Sequence, residues 1–223
     1  MSLVFDDRGL VPAVCQDALT GEVRMVAWMN REALARTLES GLATFFSRSR
    51  GRLWQKGEES GHLLRVTRVV ADCDGDTLLV LVRPEGPSCH TGRPSCFFRG
   101  VSAGGALEER PVEPAPFLLE LEAVLVRRQA STAESSYTRS LLDGGAARIA
   151  EKLDEEAGEL GRALASESDE RVASEAADLL YHTLVGLRLR GVELRRVLEL
   201  LAARSGTSGH AEKAARPPRP GDP

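Results

Sequence analysis

The sequence lacks any hydrophobic stretch long enough to cross a membrane. The apolar run Leu78–Val82 has the length of a strand, far short of the ~18 residues that a membrane span needs. Asp6, Asp7 and Arg8 lie where a secretory signal would be apolar, so no export signal is expected. The sequence also lacks the excess of basic residues that is typical of nucleic-acid binders, since its net charge is −4. We therefore predict a cytoplasmic protein that binds neither membranes nor nucleic acids.

Two sequence patterns meet near residue 110. Residues 1–108 alternate short apolar runs with glycines, which predicts a mainly β (α+β) domain. Residues 117–204 carry apolar side chains three and four positions apart, which predicts an all-α domain. The proline-rich stretch 109–116 is the predicted linker, and residues 205–223, without apolar residues larger than alanine, are a predicted disordered tail.

Individual elements follow from these patterns. Strands are predicted at Val23–Met29, Ala43–Ser47, Leu63–Val70 and Thr77–Arg83. Helices are predicted at Asn30–Ser40, Phe117–Gln129, Gly145–Ala165, Glu170–Arg190 and Val192–Ala203.

Cysteines in the first half indicate metal chemistry, since a chain without an export signal rarely uses disulfides. Cys73, Cys89 and Cys96 offer soft ligands suited to Zn²⁺, and three thiolates leave one tetrahedral position for water, as in catalytic zinc sites. His90 could then act as a general acid or base. Two alternatives stay open: the cysteines could be buried packing residues, or His90 could be the fourth ligand of a structural zinc site.

Three aspartates, Asp72, Asp74 and Asp76, lie close together in the same region. In an extended segment they would face one way and Cys73 the other. Clustered carboxylates repel one another unless a cation neutralises them, and oxygen ligands favour Mg²⁺ or Ca²⁺. An EF-hand is excluded because its glycine and glutamate positions are not met. The alternative is a solvated turn.

Several motifs of residues 1–108 carry a family resemblance. They are Leu10-Val-Pro-Ala13, Gln16-Asp17, Met29-Asn30, Ser47-Arg-Ser-Arg50, Leu53-Trp54, Lys56-Gly57, Ser60-Gly61, Asp72-Cys-Asp-Gly-Asp76, Gly86-Pro-x-Cys-His-Thr-Gly92 and Ser95-Cys96. Together they resemble phosphoribosyl-AMP cyclohydrolase, which hydrolyses the N1–C6 bond of the purine ring and works as a dimer with zinc and magnesium. Glu59 and His62 depart from that family's pattern in a probable substrate loop.

The resemblance implies roles for individual residues. Cys73, Cys89 and Cys96 would bind Zn²⁺, with Cys73 completing the site of the partner chain in a homodimer. The implied Mg²⁺ ligands are Asp72, Asp74 and Asp76, the implied proton shuttle is His90, and the implied substrate contacts are Arg48, Ser49 and Lys56.

Carboxylates on apolar helix faces mark the second half. On a helix, Glu156 falls within the apolar stripe that includes Ile149 and Leu153, where a charge is costly unless it is paired or binds a cation. Glu175 and Asp178 share one face of the next helix, so two helices could clamp Mg²⁺ and bring it to substrate phosphates. The alternatives are a simple pair between Lys152 and Glu156, and His182 as a packed residue rather than a ligand.

A second resemblance concerns these helices. Its motifs are Ser136-Tyr-Thr138, Leu142, Gly144-Gly145, Arg148-Ile149-Ala150, Lys152-x-x-Glu-Glu156, Glu159 and Glu175-Ala-Ala-Asp-Leu-Leu-Tyr-His182. They resemble phosphoribosyl-ATP pyrophosphatase, an all-α relative of the MazG-type pyrophosphohydrolases. The resemblance implies Mg²⁺ binding by Glu155, Glu156, Glu159, Glu175 and Asp178, and a phosphate contact from Lys152.

The two resemblances together imply a bifunctional hydrolase of histidine biosynthesis that acts on small nucleotides, because the product of the family that the second half resembles is the substrate of the family that the first half resembles. Two alternatives compete with this prediction. The chain could be a zinc-stabilised interaction module joined to a helical dimerisation domain, or a general nucleotide hydrolase.

Overall fold

The computed structural model describes residues 2–111, 116–130 and 137–205, and the chain divides into two compact units, Met1–Pro116 and Phe117–Pro223. The strands of the first unit are β1 (Val11–Asp17), β2 (Val23–Met29), β3 (Thr44–Ser47), β4 (Arg52–Gln55), β5 (Leu64–Ala71), β6 (Leu78–Pro84), β7 (Arg99–Val101) and β8 (Leu107–Pro111). The helices are α1 (Arg31–Ser40) in the first unit and α2 (Phe117–Ala130), α3 (Tyr137–Asp143), α4 (Gly145–Ser166), α5 (Asp169–Leu189) and α6 (Leu194–Arg204) in the second.

A four-stranded sheet in the order β2-β1-β6-β5 forms the centre of the first unit. Strand β6 pairs parallel to β1 and antiparallel to β5. Leu78, Val80 and Val82 are fully buried on one face of β6, while Leu79 and Leu81 are half-buried on the other. A continuous apolar run such as that of residues 77–82 is typical of a strand covered on both faces, and here one face is fully covered and the other partly.

Helix α1 begins and ends where its capping residues predict. The side chain of Asn30 accepts a hydrogen bond from the backbone N–H of Ala33 at 2.7 Å. Gly41 adopts the left-handed conformation with φ 69°, in which its N–H reaches the carbonyl of Thr37. The helix packs on strand β3, where the buried Thr37 hydroxyl also bonds the backbone of Thr44.

The boundary region differs from its prediction. Residues 109–111 belong to β8, which pairs antiparallel with β7, so the predicted linker of 109–116 begins within a hairpin. Proline can end an edge strand because it needs no ladder donor there, which is why Pro111 is compatible with β8. Residues 112–115 of the linker and residues 206–223 of the predicted tail lie outside the described residues.

The second unit is helical, as the spacing predicts. Helices α4 and α5 are its longest elements and pack along each other. The core that they share with their neighbours consists of Leu125, Leu141, Leu142, Ile149, Leu184, Val185 and Leu194. Within the described parts of the chain, no helix is long and apolar enough to cross a membrane.

Candidate active sites

The loop between β6 and β7 carries two of the predicted zinc ligands and is tied to strand β2 by hydrogen bonds. The backbone N–H of Cys96 donates to the carbonyl of Arg24 at 2.9 Å. The hydroxyl of Ser95 donates to the carbonyl of Val23 at 2.7 Å. Because β2 is part of the central sheet, these bonds fix the end of the loop to a rigid element.

The buried side chain of Arg24 fixes the other end of this loop. Its Nε donates to the hydroxyl of Ser88 at 3.1 Å, and Nη2 donates to the carbonyl of Gly86 at 3.3 Å. Its Nη1 pairs with Glu22, whose side chain is also nearly buried. The sequence analysis did not identify Arg24 as a buried residue that supports the loop, because an arginine in a strand is usually an exposed surface charge.

We expect Arg24→Met to destabilise the first unit by about 3 kcal/mol, because the change leaves a nearly buried Glu22 carboxylate without its cation. The matched control is Arg36→Met, which breaks an exposed pair with Glu32 and should cost less than ~1 kcal/mol. Urea unfolding followed by tryptophan fluorescence measures both, since Trp28 and Trp54 are the tryptophans of the chain and lie in the first unit. Equal losses in the two variants would contradict the buried-pair argument.

The thiols of Cys89 and Cys96 lie close enough together for each to shift the pKa of the other. Burial raises the pKa of Cys89, but hydrogen bonds from Thr91, whose hydroxyl donates to Sγ at 3.1 Å, outweigh it and bring the pKa below its ordinary value. Burial and the neighbouring Cys89 thiolate raise the pKa of Cys96 to about 11. Two neighbouring cysteine thiols, one of them with a lowered pKa, form a pair suited to a soft cation such as zinc.

The third predicted zinc ligand, Cys73, lies exposed in the turn between β5 and β6 and does not join this pair within one chain. Among the described residues, the groups of three or more potential metal ligands contain carboxylates and no cysteine. The fourth cysteine, Cys15, is fully buried in β1, and burial raises the pKa of its thiol to about 12, which makes it a poor ligand.

The predicted catalytic and substrate-binding residues of the first unit lie in different surroundings. His90 is exposed, with Nδ1 3.9 Å from Sγ of Cys89. Lys56 is largely buried and donates to the carbonyl of His62 at 3.0 Å; burial lowers its pKa, while the Cys96 and Cys89 thiols raise it. Lys56 therefore lies close to the thiol pair.

Arg48 and Ser49 lie on the turn between β3 and β4. The Arg48 guanidinium stacks over the ring of Trp28, 4.7 Å from its centroid, an arrangement that orients the exposed cation. Ser49 is exposed, with its hydroxyl 3.5 Å from that of Ser47. These two residues contact neither thiol in the described structure.

The three aspartates come together, but not in the extended conformation predicted from the sequence. Asp72 Oδ1 accepts hydrogen bonds from the backbone N–H groups of Gly75, Asp76 and Thr77 at 3.0–3.1 Å, and Gly75 has φ 80°. The prediction is wrong because these bonds fold residues 72–76 into a tight turn. One carboxylate oxygen each of Asp72, Asp74 and Asp76 lies within 4.8 Å of the others.

The hydrogen bonds of the turn also change the pKa of the Asp72 carboxyl group. Desolvation raises the pKa of Asp72, but the backbone hydrogen bonds outweigh it and hold the pKa below its ordinary value. All three carboxylates are exposed, which matches both a Mg²⁺ site and the alternative of a solvated turn.

The second unit gathers a carboxylate cluster between α4 and α5. Oxygens of Glu156, Glu175 and Asp178 lie within 4.8 Å of one another, and the first two side chains are 7% and 3% exposed. Burial, together with the carboxylates of Glu159 and Asp178, raises the pKa of Glu175, although Arg171 lowers it. A buried carboxylate whose pKa is raised by its acidic neighbours, as that of Glu175 is, fits a divalent cation with oxygen ligands.

Cations surround this cluster. Lys152 Nζ lies 3.2 Å from Glu156 and 2.6 Å from Glu155, and Arg171 lies 2.6 Å from Glu175. The pair of Lys152 and Glu156 that the sequence left open is therefore present. Glu155 is exposed and outside the cluster, whereas Glu159 lies at its edge, close enough to raise the pKa of Glu175.

The fold and these sites define a class of protein: a two-domain protein with one candidate metal site in a strand-rich unit and another between two helices. Comparison with known families gives the particular family. Residues 25–98 match the family model Phosphoribosyl-AMP cyclohydrolase, and residues 118–205 match the family model Phosphoribosyl-ATP pyrophosphohydrolase.

Similar proteins span nearly the whole chain. The chain is 44% identical over 217 residues to the histidine biosynthesis bifunctional protein HisIE of Wolinella succinogenes, covering 95% of both chains. It is 45% identical over 208 residues to the protein of that name from Parasynechococcus marenigrum, covering 92% of this chain and 93% of the relative. For the Thermosynechococcus vestitus protein the identity is 46% over 201 residues, covering 90% and 92%. The chain belongs to this family of bifunctional histidine biosynthesis proteins.

This membership confirms the predicted family, the predicted fold class and the pair of hydrolase activities, with the cyclohydrolase domain first and the pyrophosphohydrolase domain second. The substrates of the chain are small-molecule nucleotides. The alternative of a non-catalytic interaction module has no observation in its favour.

Proposed function

We propose that the chain performs two consecutive hydrolyses of histidine biosynthesis. The second unit would cleave phosphoribosyl-ATP to phosphoribosyl-AMP and pyrophosphate, and the first unit would open the adenine ring of phosphoribosyl-AMP between N1 and C6. The observation that carries the proposal is the match of both family models to consecutive parts of one chain. The two clusters of potential ligands support it, since each offers the residue types that one of these reactions needs.

In the second unit, Mg²⁺ would be held by Glu156, Glu175 and Asp178, with Glu159 at the edge of the site. Bound Mg²⁺ neutralises phosphate charge and favours attack of water at a phosphoanhydride. Lys152 lies against two carboxylates of the same helix and is placed to contact a phosphate of the substrate. The buried position of Glu156 supports this assignment, because its oxygen lies within 4.8 Å of those of Glu175 and Asp178, and clustered carboxylates repel one another unless cations such as Lys152 and a metal ion neutralise them.

In the first unit, Cys89 and Cys96 would hold Zn²⁺, and their contact and the lowered pKa of Cys89 support that role. Bound zinc acts as a Lewis acid that lowers the pKa of water to about 7. The reaction adds the oxygen of water to C6 and a proton to N1 as the bond between them breaks. His90 is exposed beside Cys89 and would carry that proton, while Lys56 and Arg48 would contact phosphate or ribose.

The aspartates of the turn after β5 are the proposed Mg²⁺ ligands of the first unit. Asp72, Asp74 and Asp76 offer three oxygens within 4.8 Å of one another, which suits an ion that retains several waters. Two exposed free thiols, Cys73 and Cys96, support a reducing location such as the cytoplasm.

We also propose a homodimer in which Cys73 of one chain completes the zinc site of the other. Cys89 and Cys96 supply only two thiolates, and Cys73 is exposed and apart from them, so a second copy could bring a third. Leu164 and Leu180, which are 67% and 55% exposed on α4 and α5, are apolar surface that a second copy could also cover.

Mixing two inactive chains tests the shared site. We expect Cys73→Ser and Cys89→Ser each to lack ring opening, and their mixture, after dissociation and reassociation, to recover about one quarter of the wild-type rate, because half of the dimers are mixed and each has one intact site. Mixing Cys89→Ser with Cys96→Ser is the matched control, and it should recover nothing. No recovery in the first mixture would contradict a site built from two chains.

The whole proposal is tested by supplying phosphoribosyl-ATP to the purified chain with Mg²⁺ and Zn²⁺. Pyrophosphate should be released first and the ring-opened product should follow. Supplying phosphoribosyl-AMP alone should give the ring-opened product without pyrophosphate. Absence of pyrophosphate from correctly folded protein would exclude the proposed reaction of the second unit.

A further inference from the structure

His182 is buried in the second unit, 4% exposed, and both of its ring nitrogens have partners. Nδ1 lies 2.9 Å from the backbone carbonyl of Asp178, one turn earlier on α5. Nε2 lies 3.0 Å from the hydroxyl of Tyr137 on α3. The sequence motif Ser136-Tyr-Thr138 and this histidine have no part in the reaction described so far.

The partners fix the tautomer of the ring. A backbone carbonyl only accepts hydrogen bonds, so Nδ1 of His182 carries the hydrogen and donates to Asp178. In the neutral ring Nε2 is then an acceptor, and the Tyr137 hydroxyl donates to it. With both nitrogens engaged, His182 has no lone pair free for a metal ion, which agrees with its interpretation as a packed residue.

The ring nevertheless lies against the carboxylate cluster. Nδ1 is 3.6 Å from Oε1 of Glu156, so the N–H edge of the ring faces that carboxylate across the contact between α4 and α5. The other side of the ring is held by aromatic neighbours: Tyr137 and Tyr181 meet it edge to face, with ring centroids at 6.1 Å and 5.3 Å. The hydroxyl of Tyr181 bonds Thr138 at 2.8 Å, so only the ring of Tyr181 and not its hydroxyl meets His182.

We propose that Tyr137 and His182 form a positioning pair that holds Glu156 and the Asp178 segment of α5 in metal-binding geometry. The pair contacts no substrate; it acts through the two carboxylate-bearing helices. Tyr137 fixes the ring, and the ring fixes the separation of Glu156 from the backbone of Asp178. This inference rests on the proposed function, because it assumes that the carboxylate cluster binds Mg²⁺.

Groups that orient metal ligands typically contribute 10–100-fold to metal affinity or activity. We therefore expect Tyr137→Phe, which removes one hydroxyl, to weaken divalent-ion binding about 10-fold. His182→Leu removes both hydrogen bonds and should weaken it by more. His182→Asn should recover part of the loss, since its amide N–H can replace Nδ1 as the donor to Asp178.

The experiment measures Mn²⁺ binding to the full chain by paramagnetic resonance, with the Glu156→Gln chain reporting ions bound elsewhere. A parallel assay of pyrophosphate release should show a higher Mg²⁺ requirement in Tyr137→Phe, but a kcat at saturating Mg²⁺ close to that of the wild type. The matched control is Tyr181→Phe, which removes a neighbouring hydroxyl that bonds Thr138 rather than His182, and its Mn²⁺ affinity should be unchanged.

Each outcome separates the two proposals. If the wild-type chain binds no more Mn²⁺ than Glu156→Gln, the metal site of the proposed function is absent. If the wild-type site is present but Tyr137→Phe binds Mn²⁺ as tightly as the wild type, the positioning pair is refuted while the proposed function stands. Equal losses in Tyr137→Phe and Tyr181→Phe would refute it as well, because they would indicate a general packing defect. Tyr137 is 54% exposed, so its variant is testable even where His182→Leu fails to fold.

Discussion

Glu156→Gln should stop pyrophosphate release while leaving ring opening of supplied phosphoribosyl-AMP intact. The glutamine has the size of the glutamate but lacks the charge that would hold Mg²⁺ beside Glu175 and Asp178. Metal-ion catalysis contributes several kcal/mol of transition-state stabilisation, so its loss corresponds to a rate reduction of about 10²–10³-fold. Measuring pyrophosphate and ring-opened product from separately supplied substrates gives both rates on one preparation.

Asp154→Asn is the matched control for this experiment. Asp154 is an exposed carboxylate on the same helix and lies outside the cluster, so its neutralisation should leave both rates near the wild-type values. Loss of both activities in Glu156→Gln would indicate that the two units do not work independently. Full pyrophosphate release in that variant would contradict the magnesium site.

Cys89→Ser should have the opposite pattern, losing ring opening and zinc together while releasing pyrophosphate normally. A serine hydroxyl is a poor ligand for a soft cation, and the variant also removes the thiol of low pKa to which Thr91 donates. We expect the zinc content to fall from stoichiometric to near zero and ring opening to fall about 10²-fold or more. Metal analysis and product identification on the same sample check both.

Cys15→Val is the control, because it removes a thiol from the buried face of β1 rather than from the proposed site. Its zinc content should match that of the wild type. Ring opening at the wild-type rate in zinc-free Cys89→Ser would rule out a zinc mechanism. Zinc loss in Cys15→Val would instead identify Cys15 as a ligand within the chain.

The sequence predicts elements best where local chemistry fixes them. Asn30 and Gly41 cap α1 at both ends, and the apolar spacing of α4 locates that helix within one residue of its predicted bounds. Strand β1 was missed because Val11–Asp17 includes a proline and a cysteine, which weaken a strand pattern, although it pairs with the neighbouring strand β2 as well as with the distant β6. Helix α3 was missed because seven residues carry too little periodicity to stand out.

The site residues likewise differ in whether a local sequence pattern can reveal them. Glu156 could be found from sequence, since a carboxylate within an apolar stripe is a local anomaly. The contact of Cys89 with Cys96 and the support from Arg24 depend on how a loop returns to β2, which no spacing rule gives. The turn at Asp72 was misjudged because side-chain bonds to the backbone compete with the extended conformation.

The parallel pairing of β1 with β6 has a consequence for how the chain folds. During synthesis the central sheet cannot be completed until β6 has emerged, and bringing β1 and β6 together carries the entropy cost of closing the long segment between them. Helices α4 and α5 are neighbours in sequence, so their contacts are local and should form rapidly. Refolded from denaturant, where both units start together, the helical unit should therefore form faster than the sheet of the first unit.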